Sequence, residues 1–268
     1  MLLIILGLIL LFLVQADFIV TTLSGGHHGP FTSRLSRGAW GLLQSLHTRF
    51  GGTFLHSYSG LIIMTVVTLT WLLLTALAWL MIFGGASASL VMRETGEPAD
   101  WLETLSYAGS ALSTMGAANA STASAWWGVW GTVAAASGFV LLTLSVTYIL
   151  TVMQTVASGR SFALLVNSLD PADPRYTTTY AENFAQLVSQ LSSVPMALNY
   201  SAVRPDLRLT FAISRFATRA AQSPDLWETF RPSFEALPGL NTSGETVTLK
   251  DVTDWAAGYS LTREKRAE

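Results

Sequence analysis

The sequence predicts an all-α membrane protein with three transmembrane helices, a re-entrant half-length helix with a filter-like loop, and a mostly helical cytoplasmic C-terminal domain. Half of its 268 residues are hydrophobic and only 12% are charged, a balance unusual for soluble domains. Residues 1–20, 61–83 and 125–156 each reach the roughly 20 apolar positions that a spanning helix needs. Residues 104–124 are uncharged and rich in Ser, Gly, Ala and Thr, so that backbone has to be shielded from lipid.

The first span, within residues 1–23, is expected to be a retained transmembrane helix. A cleaved signal peptide is the alternative, but no Lys or Arg precedes the apolar run and no clear small-residue cleavage site follows it. Asp17 is the only acidic residue in the three spans, and acids inside a membrane are functional candidates by default. Because Asp17 lies toward one end of the span, we expect it mainly to reach the interface or Arg34.

The basic residues predict the topology. Residues 24–56 contain three arginines and no acidic residue, whereas residues 84–124 contain four acidic residues and one arginine. Because positive charge favours the cytoplasmic side, segment 24–56 and the C-terminus are expected in the cytoplasm and the N-terminus outside. A bacterial inner membrane is the expected location.

The connection after the first span contains an amphipathic pattern over residues 31–50. Leu35, Trp40 and Leu43 share one broad apolar face, while Arg34 and Arg37 lie mostly away from it. A helix of this kind is suited to the cytoplasmic membrane surface, with its arginines near lipid phosphates.

A short helix is predicted to begin near residue 101. Pro98 precedes it, and Asp100 and Glu103 would lie in its first turn, where the helix dipole favours acidic groups. This helix can extend only to about residue 113, which gives a length of ~20 Å. It is too short to cross a bilayer and about right to enter one halfway. The third span then opens with tryptophans typical of an interfacial belt, beginning at Trp126.

The C-terminal domain, residues 158–268, has the composition of a soluble helical domain. Apolar residues recur at helical spacing over 179–199 and 207–221, and a short strand is possible at 245–249. We find no nucleophile–base pair, phosphate-binding glycine loop or metal-ligand spacing. We therefore expect no enzymatic activity, no cofactor and no metal. The net charge of −2 hides a basic–acidic asymmetry between loops that favours a membrane over nucleic acid as partner.

The loop after the predicted half-length helix reads Ser113-Thr114-Met115-Gly116-Ala117-Ala118-Asn119. With the helices on either side, residues 57–157 resemble the pore module of the tetrameric potassium channel superfamily, whose filter signature T-T-V-G-Y-G-D stands in the same register. Gly138 follows Gly116 by 22 residues, where that family often has a glycine hinge in its inner helix. The extra leading span is similar to that of a bacterial group of channel-like proteins.

The resemblance implies a homotetramer in the lipid bilayer that passes monovalent cations, K⁺ or Na⁺, with filter carbonyls replacing the hydration shell. Gly116 keeps the first filter glycine, whereas Ala118 replaces the second and would cost about 1–2 kcal/mol in left-handed geometry. Ala117 replaces the tyrosine and Asn119 the acid. Potassium selectivity is therefore expected to be weak or altered.

Two alternatives stay open from the sequence. A non-conducting structural or accessory membrane protein would use the same pore fold only for assembly. Gly138 would be either a gating hinge or a packing contact, because small residues also let helices approach closely in membranes.

Overall fold

The computed structural model describes residues 1–23, 29–50, 54–86, 88–116, 119–168, 176–242, 244 and 246–260. Within these residues the chain is built mostly of helices, with two short strands. The helices are α1 (Leu2–Leu23), α2 (Pro30–Phe50), α3 (Phe54–Gly84), α4 (Trp101–Leu112), α5 (Ala125–Ser168), α6 (Tyr176–Ser193), α7 (Leu209–Ala220), α8 (Pro224–Glu235) and α9 (Leu249–Gly258), and the strands are β1 (Leu90–Met92) and β2 (Ala120–Thr122). Single 3₁₀ turns occupy Pro195–Asn199 and Pro205–Leu207.

Three helices are long and apolar enough to cross a membrane: Leu2–Leu23, Tyr58–Gly84 and Ala125–Ser168. They coincide with the three predicted spans, which confirms that part of the prediction. The third helix continues past its predicted end at residue 156, because no proline interrupts the chain before residue 168, and Gly159 is accommodated within the helix. The predicted amphipathic helix is likewise present as α2.

The described residues form two compact units. The first contains residues 1–23, 29–33 and 66–148, and the second contains residues 34–65 and 149–260. The boundaries of these units differ from those of the predicted segments 24–56, 57–157 and 158–268. We describe each unit by itself.

In the first unit, α1 packs antiparallel to α3. Gly7 lies so close to α3 that a Cβ at this position would be 2.8 Å from the Ala78 carbonyl oxygen. At the other end of α1, the rings of Phe18 and Trp71 meet edge to face with centroids 5.0 Å apart. Helices α1 and α3 are therefore held together at two positions along their length, by the close approach at Gly7 and by the aromatic contact of Phe18.

Helix α4 is embedded between α3 and α5 in the first unit. Its buried face consists of Thr104, Ala108 and Leu112, spaced one helical turn apart. Ala108 and Leu112 belong to one apolar cluster that also contains Trp79, Ile82, Phe83, Leu90, Ala120 and Ala134. Small alanines on both sides let the short helix approach its neighbours closely.

The two strands, which the sequence did not predict, form an antiparallel pair beside α4. Leu90 pairs with Thr122 and Met92 pairs with Ala120. Each strand has only three residues, too few for the alternation by which a strand is recognised in a sequence. The expectation of an all-α protein is therefore correct for the architecture but incomplete in this detail.

The second unit has an aromatic core where the end of α5 meets α6, α7 and α8. Phe216 lies at its centre: its ring is stacked on Tyr180 at 4.9 Å and contacts Phe162, Phe184 and Phe230 at 4.9 to 5.5 Å. The helical patterns predicted over 179–199 and 207–221 correspond to α6 and α7.

The strand predicted at 245–249 is wrong for the part that the structure describes, because this segment leads into helix α9. Thr248 caps that helix: its Oγ1 accepts from the Asp251 amide at 3.3 Å, while an Asp251 carboxylate oxygen accepts from the Thr248 amide at 2.9 Å. A reciprocal cap of this kind directs the chain into a helix. Residue 245 lies outside the described residues.

Candidate functional site

The start of α4 is set by a capping box. The Asp100 carboxylate accepts from the Glu103 amide, and the Glu103 carboxylate accepts from the Asp100 amide, both at 2.8 Å. Both amides would otherwise lack an intrahelical partner. The helix therefore begins at the predicted residue and has twelve residues, ending at Leu112.

The filter-like loop begins in the last turn of α4. The amides of Ser113, Thr114 and Met115 donate to the carbonyls of Gly109, Ala111 and Ser110, at 2.9 to 3.0 Å. The Ser113 and Thr114 hydroxyls also donate to backbone carbonyls, at 2.8 and 2.7 Å. The first half of the loop is thus held by the helix that precedes it.

The backbone of this loop alternates in hand. Thr114 has a φ of 56° and Gly116 a φ of 65°, and Thr114 is the one non-glycine residue with a positive φ in the part of the chain that the structure describes. Glycine adopts this conformation at little cost, whereas for threonine it costs about 1–2 kcal/mol. The left-handed Thr114 was not anticipated from the sequence.

The loop is open to its surroundings in the single chain. Ser113, Thr114, Met115 and Gly116 are all exposed, with Met115 at 73%. The next two filter-like positions, Ala117 and Ala118, lie outside the described residues.

The far end of the loop is held by the strand pair. The Asn119 carbonyl accepts from the Arg93 amide at 2.9 Å, and β2 begins at the next residue. The strands therefore fix the position at which the loop ends.

Gly138 of α5 contacts the end of α4. A Cβ at this position would overlap the Leu112 carbonyl oxygen and lie 2.6 Å from the Leu112 Cα atom. Only glycine fits, which supports the packing alternative. The role of Gly138 as a hinge stays a prediction.

Aromatic rings support α4 from the side of α3. Phe83 is stacked with Trp79 at 5.6 Å, meets Tyr107 edge to face at 5.3 Å and lies 6.0 Å from Trp127. The Trp79 indole nitrogen also donates to the Ser137 hydroxyl at 3.0 Å. The sequence interpretation of Trp126 and Trp127 as an interfacial anchor missed this packing of Trp127, because the partner ring lies on a different helix.

A second polar cluster surrounds Asp17 in the first unit. Its carboxylate is buried and accepts from the Phe31 amide at 2.8 Å, the Thr32 hydroxyl at 2.6 Å and the Trp71 indole at 3.1 Å. The carboxylate therefore bonds to these groups and not, as one alternative expected, to Arg34; its place at the membrane interface stays a prediction. It caps the N-terminus of α2 from another helix, where the helix dipole favours negative charge.

Gly29 makes this cap possible. A Cβ on Gly29 would overlap the Asp17 carboxylate, and the Gly29 amide donates to the Thr21 hydroxyl at 2.9 Å. Pro30, which has no amide hydrogen to satisfy, then occupies the first position of α2.

Among the residues that the structure describes, no cluster of three His, Asp or Glu side chains could hold a metal ion.

The three apolar helices, with this buried polar cluster, define a helical membrane protein. The chain is 30% identical over 169 residues to a protein of Bacillus subtilis (strain 168) named as the uncharacterized membrane protein YdjJ. The similarity covers 62% of this chain and 48% of the relative, so the chain spans about half of the relative's length. No family model matches the chain, and no solved structure gives a significant match.

Proposed function

We propose that the protein is one subunit of a homotetrameric channel that lets monovalent cations cross a membrane passively, with weak or altered potassium selectivity. The permeation path would run past the filter-like loop, Ser113 to Asn119, with α4 as a re-entrant helix. The protein would lie in a bacterial inner membrane with its N-terminus outside and its C-terminus in the cytoplasm.

The observation that carries this proposal is the end of α4. A twelve-residue helix, too short to span a bilayer, ends at a loop whose backbone alternates in hand at Thr114 and Gly116. Alternating hand turns successive carbonyls toward the same side, which is the arrangement an ion path needs when carbonyls replace water.

The electrostatics agree with a cation path. No charged residue lies between Glu103 and Arg160 along the chain, so the loop contributes no formal charge of its own, although Arg93 is held beside its far end at Asn119. The C-terminal end of α4 carries a partial negative charge equivalent to about half an electron, and it ends at Leu112, beside the loop. Four such ends would favour a cation on the axis.

The exposed apolar faces support an assembly of several subunits. Leu102 and Leu105 of α4 are 74% and 43% exposed, and Phe139 and Val146 of α5 are 62% and 57% exposed. One loop lies on one side of a path and cannot enclose it. Neighbouring copies and lipid would together cover these apolar faces, which are too extensive for a protein surface in water.

Purified protein in planar bilayers tests the proposal. We expect unitary cation currents whose conductance or reversal potential changes in Gly116→Ala. Gly96→Ala is the matched control, because Gly96 also has a positive φ (72°) but lies in the loop before α4. Both variants carry the same backbone strain, so only a change confined to position 116 supports the ion path.

The result that contradicts conduction is silence across K⁺, Na⁺ and a wide voltage range. If silent protein still has the mass of a tetramer, the alternative of a structural or accessory membrane protein is favoured. The substitution of the second filter glycine by Ala118 is the sequence feature that favours that alternative.

A further inference from the structure

The second unit contains two cavities, one of about 420 Å³ and one of about 460 Å³. The larger cavity, of about 460 Å³, lies between the segment at residues 198–205, helix α7 and the end of α9. Sites for small molecules commonly have volumes of about 300–1,000 Å³. Its size is therefore adequate for a ligand of one or two rings.

The first wall of this cavity is attached to the start of α3. Tyr200, which lines the cavity, also packs so closely on Gly60 that a Cβ there would overlap its ring. Beside it, the Ser59 hydroxyl donates to the Asn199 carbonyl at 3.1 Å and accepts from the Ser201 amide at 3.2 Å. These contacts attach residues 199–201 of the cavity wall to the start of α3.

The second wall, α7, is attached to the end of α5. A Cβ on Gly159 would lie 3.0 Å from the Leu209 side chain, and the Arg219 guanidinium donates to the Val166 carbonyl. On the opposite face, Phe211 and Ser214 of the same helix line the cavity. One helix therefore contacts α5 with one face and the cavity with another.

The third wall, at the end of α9, is attached to α2. Gln44 of α2 donates to the Ser260 carbonyl at 3.0 Å, and Ser260 lines the cavity. The cavity thus lies where the attachments of α2, α3 and α5 meet within the second unit.

The residues that line the cavity indicate which class of ligand it could bind. Leu198, Pro205 and Phe211 provide an apolar surface, whereas Arg208 contributes the one formal charge among the described lining residues, which include no Asp or Glu. The Tyr200 and Tyr259 phenols are protonated at neutral pH, as tyrosines ordinarily are, and can donate hydrogen bonds.

We infer that this cavity binds a small organic anion, one carboxylate or similar acidic group on an apolar body, and that the bound ligand holds the α2, α3 and α5 attachments together. The Arg208 Nε already donates to the Ala202 carbonyl at 2.9 Å, which holds the guanidinium in place; the acidic group would accept charge-assisted hydrogen bonds from its terminal nitrogens, and the body would lie on Phe211. A soluble organic acid and an acidic lipid share this chemistry. Binding does not depend on whether the protein conducts ions.

Binding of three probes with one ring system tests the inference. Calorimetric titration of the full chain in neutral detergent compares 2-naphthoate, 2-naphthamide and 2-naphthylmethylammonium. We expect the carboxylate to bind about tenfold or more tightly than the amide, which corresponds to one charge-assisted contact, and the cation not to bind. Equal binding of all three probes, or no binding of naphthoate, overturns the inference.

Matched variants locate the site. Ser214→Phe fills the cavity and should abolish naphthoate binding, whereas Thr218→Phe, one turn further along the exposed side of α7, should not. Arg208→Gln should remove the preference for the carboxylate, and Arg208→Lys should restore part of it. Equal binding by the two phenylalanine variants, or an unchanged preference in Arg208→Gln, contradicts the site.

Two further measurements use wild-type protein. Naphthoate should slow hydrogen exchange in α7 and over residues 195–201, and exchange that is unchanged at saturation contradicts the holding role. Titration in nanodiscs distinguishes the natural source of the anion. Loss of naphthoate binding in phosphatidylglycerol but not in phosphatidylcholine supports a lipid occupant, whereas equal binding in both supports a soluble acid.

Discussion

Gly138 of α5 lies against Leu112, the last residue of α4, with space for no side chain between them. The contact places the beginning of the filter-like loop directly against the third spanning helix. A shift of α5 at Gly138 would therefore displace the backbone of α4 at Leu112, where the loop begins.

Gly138→Ala is expected to destabilise the protein. The added methyl would overlap the α4 backbone, and overpacking of this kind costs about 1–3 kcal/mol, so thermal unfolding in detergent should begin several degrees lower. Gly128→Ala, on the same helix, is the control, because its nearest neighbour would be the Thr122 hydroxyl at 3.6 Å. Equal melting temperatures for the two variants contradict the packing role of Gly138.

Asp17→Asn is expected to weaken the junction of α1, α2 and α3. The side-chain amide keeps the size of the carboxylate but replaces one acceptor oxygen by an NH₂ group, which would face groups that themselves donate. A buried donor without an acceptor costs about 1–3 kcal/mol. Thermal unfolding followed by helical circular dichroism measures the loss. Trp71→Phe, which removes one of the donors, should cost less, and a fully stable Asp17→Asn protein shows that the cluster is not a stabilising cap.

Asp100→Ala is expected to loosen the first turn of α4. Loss of an N-cap costs about 0.5–2 kcal/mol, and the amide of Glu103 loses its acceptor. Hydrogen exchange should become faster over residues 101–104 and remain unchanged in α5. The exposed Glu94 supplies the control, because Glu94→Ala removes one acidic charge from the same connection without a cap. Faster exchange in both variants would show that the loss of an acidic charge, and not the loss of the cap, loosens the first turn.

Phe216→Ala is expected to destabilise the second unit strongly. Its ring is fully buried among other rings, and truncation of a buried phenylalanine costs about 3–5 kcal/mol. Phe211, on the same helix, is 47% exposed, so Phe211→Ala should cost much less. Denaturant unfolding monitored by tryptophan fluorescence compares them, and similar midpoints would rule out the aromatic cluster as the core.

Tyr259 is expected to make the second unit sensitive to alkali. Burial raises its pKa above the ordinary value of about 10, so the folded form holds its proton at a pH where the unfolded form has lost it. The stabilisation is complete below about pH 10 and disappears as the pH rises through the raised pKa. Tyr259→Phe should therefore lose less stability than wild type between about pH 9 and about pH 11. Parallel loss in both proteins contradicts this role.

Local chemistry explains what the sequence predicted well. The spacing of Asp100 and Glu103 predicts the start of α4 because both partners of the cap lie within one turn. The spanning helices follow equally from continuous apolar runs.

Long-range contacts explain what the sequence missed. The donors of Asp17 stand 14, 15 and 54 residues away along the chain, and no pattern links them. The positive φ of Thr114 is set by bonds to the last turn of α4, and threonine gives no sign of it. The short strands are recognisable only once paired.

The cap on α2 has a consequence for biogenesis. When α1 leaves the ribosome, Asp17 is an acid in an apolar helix. Such a residue costs about 2.5–3.5 kcal/mol at the centre of a bilayer, and Asp17 lies nearer one end of the span. Two of its donors arrive with the start of α2, but the Trp71 indole arrives only with the second span. The full set of these hydrogen bonds to Asp17 can therefore form only after the second spanning helix has been synthesised.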